Sequence, residues 1–489
     1  MSRRIALVVT AVALVALAVI GGLTGSDAAP PTVAAPTYAP VTTRTLVCPQ
    51  LSGAGFDVST NVVVADGAGA LSPPSTRSGR VTATVIGGAK RTTTPIGAHP
   101  VTVIRSVPKR DETITVNALG SVAASLTADE LTLVSGGRNR GLYGTACAAP
   151  QTDWWFVGAD GRVGYADTLV LSDPSATAAS VELSLWSERG PVTNSQIDMV
   201  RVPAGGVTTV SIPRVAPDDA FLAVHVHTTS GSVSAALLDR RTAALNSNGG
   251  DYIPPTRAPA RSAVVPGFAP GAGARRLLVA NPGPVDATVS LRLVTNSGSF
   301  IPAGDEQVVV RAGRSTVIYL DRVFAGATGA VMFTSTRPVV ASGYSEAVAR
   351  RQRPDLVWLA ATQPLEGSAG IATGRAPYGG TCRLMLSAPA GAATVQVRTP
   401  SGGHTAITVP AGRSVSVDIT TAIGGSRHRP AAASWPFAVT VTGPAPVYGV
   451  RELSYSGAHG PLVSGEPLVD LPQPLRLPVV RENPRLATR

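Results

Sequence analysis

The chain has 489 residues, of which 44% are hydrophobic, 4% aromatic and 15% charged, and its formal net charge is +11. The 51 glycines and 41 prolines are spread along the chain, which favours many short strands joined by turns and excludes a long helical bundle. Basic residues stand one or two at a time without a run of five or six, so the charge indicates no nucleic-acid-binding tract. Arginine replaces lysine almost everywhere, which is typical of a GC-rich bacterium.

An apolar run opens the chain. It extends from Ile5 to Leu23 and follows two arginines. Its 19 residues are long enough to span a bilayer, and the arginines predict that the remainder lies outside the cytoplasm. We expect residues 1–29 to anchor the chain in the cell membrane as a single span. A secretion signal cleaved after the small residues Ser26 and Ala28 is the alternative.

The next segment and the cysteines indicate an exported region. Residues 30–47 are rich in Pro, Ala and Thr and predict an extended spacer. Cys48 and Cys147 each stand beside proline at opposite ends of one domain-sized segment, and outside the cytoplasm they are predicted to form a disulfide. Cys382 alternates with apolar residues and is expected to be a buried thiol. No cysteine spacing fits a zinc site.

Three sequence blocks recur with a period of about 108 residues. The first is an apolar strand, a proline-containing turn and an alternating strand, and it begins at Thr168, Arg276 and Arg383. The second is a hairpin with Ala-Gly at its tip, and the third closes each unit, as in "LAVHVHTTSGSVSAALLD". A weaker copy begins at Asn61, so we expect four units, the first of them degenerate.

The alternation inside each block predicts antiparallel strands with one buried face. Six to eight strands in about 108 residues indicate an immunoglobulin-like β-sandwich. A four-bladed propeller is the alternative, although its blades would have about 40–50 residues. The predicted class is all-β, with tandem sandwiches after a transmembrane helix. The predicted boundaries are a degenerate β unit at 48–146, sandwiches at 147–258, 259–365 and 366–458, and a Pro-rich tail at 459–489.

Several motifs resemble an uncharacterised family of actinobacterial envelope proteins, a domain-of-unknown-function family. They are the N-terminal anchor, "CP" at Cys48, "GLYGTACAAPQTDWWFVG", and the block "NPG…ATVSLRL…VRAGRSTVIYL". The resemblance covers most of the exported region. It implies a location and a fold, and it carries no known functional residues.

Two neighbouring tryptophans are the candidate ligand-stacking residues. Trp154 and Trp155 lie in the predicted first strand of the second unit, and aromatic faces stack on sugar rings. Because successive side chains of a strand point to opposite faces, one is expected to enter a core or an interface and the other to face outward. The outward ring is the candidate for binding cell-wall glycan.

Two histidines form half of a potential metal site. His225 and His227 are two residues apart on a predicted strand and share a face, which also fits a pH-sensitive pair. The acids nearest in sequence, Asp218 and Asp219, lie in the preceding loop, and no third ligand is visible. The sequence therefore predicts no metal site and no cofactor.

Catalytic motifs are missing from the sequence. There is no Gly-x-Ser-x-Gly elbow, and the one Ser-x-x-Lys spacing, from Ser106 to Lys109, lacks the Ser-Asp-Asn and Lys-Thr-Gly motifs that accompany it in enzymes. We expect a non-catalytic scaffold or interaction protein of the bacterial cell envelope, whose partners are envelope proteins or cell-wall polysaccharide. A carbohydrate-binding module is the first alternative, and an envelope hydrolase assembled from distant residues is the second.

Overall fold

Strands form both where apolar and polar residues alternate, as in β12, and along fully buried runs, as in β26. In the computed structural model strands account for 62% and helices for 3%, which confirms the all-β class. The structure describes residues 38–50, 58–66, 79–88, 92–96, 101–106, 112–244, 246–304, 306–376, 379–400, 402–422 and 436–477. The predicted anchor at 1–29 lies outside them. Within these ranges, no helix has the length and apolar character that a bilayer span requires.

The strands follow one pattern, repeated four times. We name the copies repeat I (43–146), repeat II (153–253), repeat III (260–360) and repeat IV (368–467). Strand β1 (Tyr38–Ala39) precedes them. Repeat I contains β2 (Thr43–Cys48), β3 (Val58–Asp66), β4 (Gly79–Ile86), β5 (Thr92–Ile96), β6 (Val101–Ser106), β7 (Thr113–Gly120), a 3₁₀ helix (Ser121–Ala124), β8 (Leu126–Val134) and β9 (Gly141–Ala146). Repeat II contains β10 (Asp153–Ala159), β11 (Thr168–Asp173), β12 (Ala179–Ser187), β13 (Gly190–Pro191), β14 (Val200–Val202), β15 (Gly206–Ser211), α1 (Ile212–Val215), β16 (Leu222–Ser230), β17 (Ser234–Ala243) and β18 (Asn246–Ile253).

The second half of the chain repeats this order. Repeat III contains β19 (Ala260–Phe268), β20 (Arg275–Asn281), β21 (Ala287–Thr295), β22 (Gly298–Phe300), β23 (Gln307–Val310), β24 (Arg314–Tyr319), β25 (Gly329–Ala347) and β26 (Asp355–Ala360). Repeat IV contains β27 (Ser368–Ile371), β28 (Thr381–Ala388), β29 (Ala393–Arg398), β30 (His404–Val409), β31 (Arg413–Asp418), α2 (Ile419–Ala422), β32 (Phe437–Thr442), β33 (Tyr448–Gly457) and β34 (Gly460–Pro467).

The chain forms two compact units. The larger, Val41–Gln473, contains all four repeats. Of the smaller, the structure describes residues 38–40 and 474–477, in which β1 forms an antiparallel pair with β35 (Leu475–Arg476).

Repeats I, II and IV each build two antiparallel sheets with the same strand order, and in repeat III the long strand β25 joins the two into one sheet. One sheet has the order first, sixth, third, fourth, and the other has fifth, second, seventh, eighth. In this order, the short pairs β13–β14 and β22–β23 each count as the fourth strand, and β25 counts as both the sixth and the seventh. The pairs second with fifth and third with sixth also occur in the immunoglobulin order. In this chain, however, the first strand lies beside the sixth and the seventh beside the second.

Repeat III departs from the others at one corner. Between the sixth and seventh strands, repeats I, II and IV have Gly120, Gly231 and Gly443, all with positive φ. That backbone conformation suits glycine and ends the sixth strand. Repeat III has Arg337 and Pro338 there, and the two strands run on as the single strand β25, which pairs with strands of both sheets.

The eighth strands of the four repeats close the larger unit on itself. Strand β18 contacts β9 and β26, and β34 contacts β26 and β9. The four strands therefore surround a common centre, which we call the central ring. A string of independent sandwiches would not bring repeat IV back against repeat I.

One buried carboxylate joins all four repeats in the central ring. Asp355, the first residue of β26, accepts N–H groups from Leu142 of repeat I (3.3 Å), Gly250 of repeat II (3.1 Å) and Val463 of repeat IV (3.0 Å). Buried backbone N–H groups must be paired, and these three have lost water. Asp355 supplies the partner to all three.

Two further side chains bridge repeats at the same place. Asp251 of β18 accepts the N–H of Gly144 and the hydroxyl of Ser464, each at 3.1 Å. The guanidinium of Arg140 donates to the carbonyl oxygens of Pro354 (3.1 Å) and Pro461 (2.6 Å). Repeat I is thus hydrogen-bonded to all three later repeats.

Close backbone approach in the ring requires glycine. At Gly249, φ is +95°, and a Cβ there would lie 2.8 Å from Asp355 Cα. A Cβ on Gly144 would lie 2.6 Å from Ser464 Oγ. Larger residues would push the repeats apart.

The segment after each eighth strand returns to the first strand of its own repeat. These backbone bridges are Val47 with Ala148, Trp155 with Thr256, Val264 with Thr362, and Ala369 with Asp470. In repeat I a disulfide joins the neighbouring residues Cys48 and Cys147, as predicted. The disulfide closes a loop with a sequence separation of 99, and in the chain-entropy model such a loop contributes about 4–5 kcal/mol at most. Cys382 is a buried free thiol.

Both ends of the repeat region extend further than predicted. Strand β2 occupies residues 43–48 in the predicted spacer, and β34 occupies 460–467 in the predicted tail. Composition misled both expectations. In the predicted tail, Pro461 and Pro467 lie near the ends of β34, where prolines are tolerated. Each strand completes a sheet of its repeat.

Replacing Asp355 tests the central ring. In Asp355→Asn the amide NH₂ faces backbone donors, so we expect a loss of about 2–4 kcal/mol in the free energy of unfolding, measured by urea denaturation. Asp286 is the control, because its carboxylate accepts a single backbone N–H at the surface. Asp286→Asn should change stability by less than about 0.5 kcal/mol. Equal small effects at both sites would contradict the bridging role.

Glu130 makes stability depend on pH. Burial raises the pKa of Glu130 from 4.5 to about 8, although a hydrogen bond from Thr132 opposes this. The folded chain therefore keeps a proton that the unfolded chain has released. The stabilisation of the fold that this retained proton provides is fully present below about pH 4.5 and is lost as the pH rises through about 8.

Glu130→Gln removes this dependence, because the amide needs no proton. Between about pH 5 and pH 9 we expect the stability of the variant relative to the parent chain to rise by roughly 2–4 kcal/mol. Urea denaturation across this range measures it, with the exposed Glu182→Gln as control. If the free energies of unfolding of the parent chain and of Glu130→Gln change in parallel with pH, Glu130 is ionised in both the folded and the unfolded chain.

Candidate functional site

Strand pairing gathers polar side chains on the outer face of one repeat II sheet. Strand β16 lies between β10 and β12, and its register places His227 opposite Asp153 and His225 opposite Trp155. Side chains alternate across a strand, so these four share a face. On β12 the same face carries Glu182, opposite His227.

The carboxylate of Asp153 lies at the centre of this group. Its Oδ2 is 2.9 Å from His225 Nε2 and 3.3 Å from His227 Nδ1. Its Oδ1 accepts the indole N–H of Trp155 at 3.0 Å. One oxygen is thus held by the protein while the other faces two imidazoles. We call Asp153, His225 and His227 the His-Asp cluster.

An aromatic stack supports the cluster from one side. The ring of His225 stacks on Trp155 with centroids 4.0 Å apart, and Trp155 stacks on Trp186 at 5.5 Å. Planar stacks of this kind restrict the ring torsions. His225 therefore has a defined orientation before anything binds.

The cluster is open to solvent on its other side. The exposed fractions are 19% for the side chain of His225, 50% for His227 and 45% for Asp153. Partial burial raises the pKa of Asp153, but the hydrogen bonds and charge of His225 and the hydrogen bond to His227 outweigh it, and the pKa is lowered. Asp153 is therefore a carboxylate anion at neutral pH.

The tryptophans do not form the expected stacking platform. Trp154 enters the core, where it is 4% exposed and its indole N–H donates to the carbonyl of Val233 at 2.9 Å. Trp155 is on the outer face, as alternation predicts, yet it is 7% exposed. It lies in the stack between His225 and Trp186, so neither ring offers a free face to a sugar.

The third member of the cluster was missed by sequence reasoning. The loop acids near the histidines do not complete it, because Asp219 forms an ion pair with Arg189 at 2.7 Å. Asp153 lies 72 residues before His225 and meets it only through strand pairing. The available signal was the shared face of Asp153 and Trp155 on a predicted first strand.

A second concave feature lies between repeats I and II. It has a volume of about 460 Å³ and is lined by polar side chains and prolines, and we call it the hydroxyl groove. Its lining comprises Thr45, Thr84, Thr93, Thr115, Asn117, Pro150, Pro174, Ser175 and Ser232. The groove offers hydroxyls and an amide, without an aromatic ring.

Comparison with known proteins identifies the family of the chain. A family model described as "Family of unknown function (DUF5719)" matches residues 101–420. No curated protein matches the chain.

Solved structures show only distant similarity. Thermotoga maritima 1070 is 17% identical, covering 20% of this chain and 90% of that one with a TM-score of 0.19. A Ca²⁺-stabilised adhesin with which an Antarctic bacterium binds ice is 12% identical, covering 88% and 99% with a TM-score of 0.11. A 1.5-MDa bacterial ice-binding adhesin is 10% identical, covering 65% and 97% with a TM-score of 0.11. These scores are too low to carry an argument about function.

Proposed function

The chain belongs to the DUF5719 family, whose function is unknown, and we propose that it is an exported, non-catalytic interaction protein of the bacterial cell envelope. The observation that carries this proposal is the closure of four similar repeats around the central ring. A closed ring holds the outer faces and loops of the repeats in fixed positions. Preorganised surfaces bind partners with less loss of conformational entropy.

Two observations on the chain itself support a location outside the cytoplasm. The disulfide between Cys48 and Cys147 favours an oxidising environment outside the cytoplasm. The apolar run from Ile5 to Leu23 favours a membrane anchor with the repeats on the outer side. The resemblance to actinobacterial envelope proteins supports the same location.

Buried acids serve the structure, which leaves the surface for function. Arg451 is paired with Glu466 and lies 3.7 Å from Asp129, which accepts the N–H of Thr373 at 2.7 Å. These groups connect repeats I and IV in the interior.

On the surface, repeat III exposes Phe300, Ile301, Val309 and Tyr319. Exposed aromatic and aliphatic side chains are the usual anchors of protein interfaces.

Carbohydrate binding is the second candidate, and the hydroxyl groove favours it. Thr93 and Ser175 are exposed at opposite sides of the groove, one on β5 and one in a turn of repeat II. Hydroxyl and amide groups can hydrogen-bond sugar hydroxyls. This version needs no stacking on Trp154 or Trp155.

Photo-crosslinking in living cells tests both candidates. A photoreactive amino acid replaces Phe300 in repeat III, Ser175 in the groove, or Val163, which is 95% exposed in repeat II and serves as control. We expect a discrete protein adduct from position 300 alone. A polysaccharide adduct from position 175 alone would replace the first candidate by the second. The same adducts from all three positions, or none at 300 and 175, would contradict both.

A further inference from the structure

We propose that Asp153, His225 and His227 bind one divalent transition-metal ion, with Zn²⁺ as the best match. This site is independent of the proposed envelope function. The three side chains offer one carboxylate oxygen and two imidazole nitrogens, all within 4.8 Å of one another. Two histidines and a carboxylate are a ligand set that zinc and its neighbours accept readily.

The spacing of the ligand atoms fits such an ion. A tetrahedral ion with bonds of about 2.0–2.2 Å separates its ligand atoms by about 3.3–3.5 Å. The carboxylate oxygen lies 2.9 Å and 3.3 Å from the two nitrogens. Small rotations of the half-exposed His227 and Asp153 side chains would therefore admit an ion, without movement of the strands.

The scaffold under the ligands is rigid. His225 and His227 are alternate residues of β16, a strand that is paired on both sides. Asp153 lies on the neighbouring strand β10, directly opposite His227. Two histidines at this spacing on a strand direct both rings to one side of the sheet. The ion would lie above the centre of a three-strand region.

Groups around the ligands fix their orientation. The indole N–H of Trp155 holds Asp153 Oδ1 and leaves Oδ2 for the ion. The Trp155 ring also positions the imidazole of His225 by stacking. Metal sites depend on such supporting contacts, and removing one typically costs 10–100-fold in affinity. This explains why a tryptophan occupies the outer face of the strand.

The ligand chemistry selects among metals. Imidazole nitrogens suit Zn²⁺, Cu²⁺, Ni²⁺ and Co²⁺, whereas Ca²⁺ and Mg²⁺ prefer oxygen ligands. Three protein ligands leave one tetrahedral position for a solvent molecule or a group from a partner. Register places Glu182 opposite His227, so a second carboxylate lies at the edge of the site.

The test titrates the full-length chain, purified without a polyhistidine tag, with Zn²⁺ in a calorimeter and with Co²⁺ in a spectrophotometer. We expect one Zn²⁺ per chain, visible Co²⁺ absorption bands typical of nitrogen and oxygen ligation, and no comparable binding of Ca²⁺. His227→Ala should weaken Zn²⁺ binding at least 100-fold, and Asp153→Asn at least tenfold. Trp155→Phe, which removes the supporting indole N–H and keeps a smaller aromatic ring beside His225, should cost roughly 10–100-fold.

His404→Ala is the matched control, because His404 is an exposed strand histidine of repeat IV. It should bind Zn²⁺ like the parent chain. Thermal unfolding without metal checks that each variant folds, and Asp153→Asn keeps the test decisive if a histidine variant does not. Absence of saturable Zn²⁺ and Co²⁺ binding to the parent chain, or binding unchanged in both His227→Ala and Asp153→Asn, would overturn the proposal.

Discussion

The carboxylate of Asp355 is the contact on which the larger unit depends. An ionisable group buried in protein needs hydrogen-bond partners, and a buried N–H group needs an acceptor. Here one residue of repeat III meets both needs by accepting N–H groups from repeats I, II and IV. Burial nevertheless raises the pKa of Asp355 to about 7, because the hydrogen bonds offset only part of the desolvation. The hydrogen bonds that close the ring therefore stabilise the larger unit, while the desolvation of the Asp355 carboxylate destabilises it.

Ring closure explains features that have no local cause. Gly249 and Gly144 lie where neighbouring repeats approach too closely for a side chain. The disulfide reinforces the bridge that each repeat makes between its first strand and its following segment, in the repeat whose sequence is most degenerate. The His-Asp cluster lies on the outer face of a repeat II sheet, where paired strands hold its side chains in register. Stability at the centre and a preorganised surface are thus linked.

Much of this fold is readable from sequence, because its signals are local. Alternation predicts the strands, the 108-residue period predicts four copies, and the cysteine positions predict the disulfide. The order of repeats around a ring has no local signal, since Asp355 begins an apolar strand, a position that surface residues often occupy. Asp153 was overlooked for a similar reason, because only strand pairing brings it to histidines more than 70 residues away. Alternation correctly assigned Trp155 to the outer face but did not reveal the stack that covers it.

We expect the four repeats to unfold as one unit, because they share the hydrogen-bond acceptors of the central ring. Native-state hydrogen exchange at the amides of Leu142, Gly250 and Val463 tests this most directly, because these three N–H groups come from three repeats and share Asp355. If the ring couples the repeats, all three amides exchange with the same free energy, equal to that of global unfolding. Exchange of one amide at a much lower free energy, with the other two still protected, would show that its repeat opens alone and that the ring does not couple the repeats.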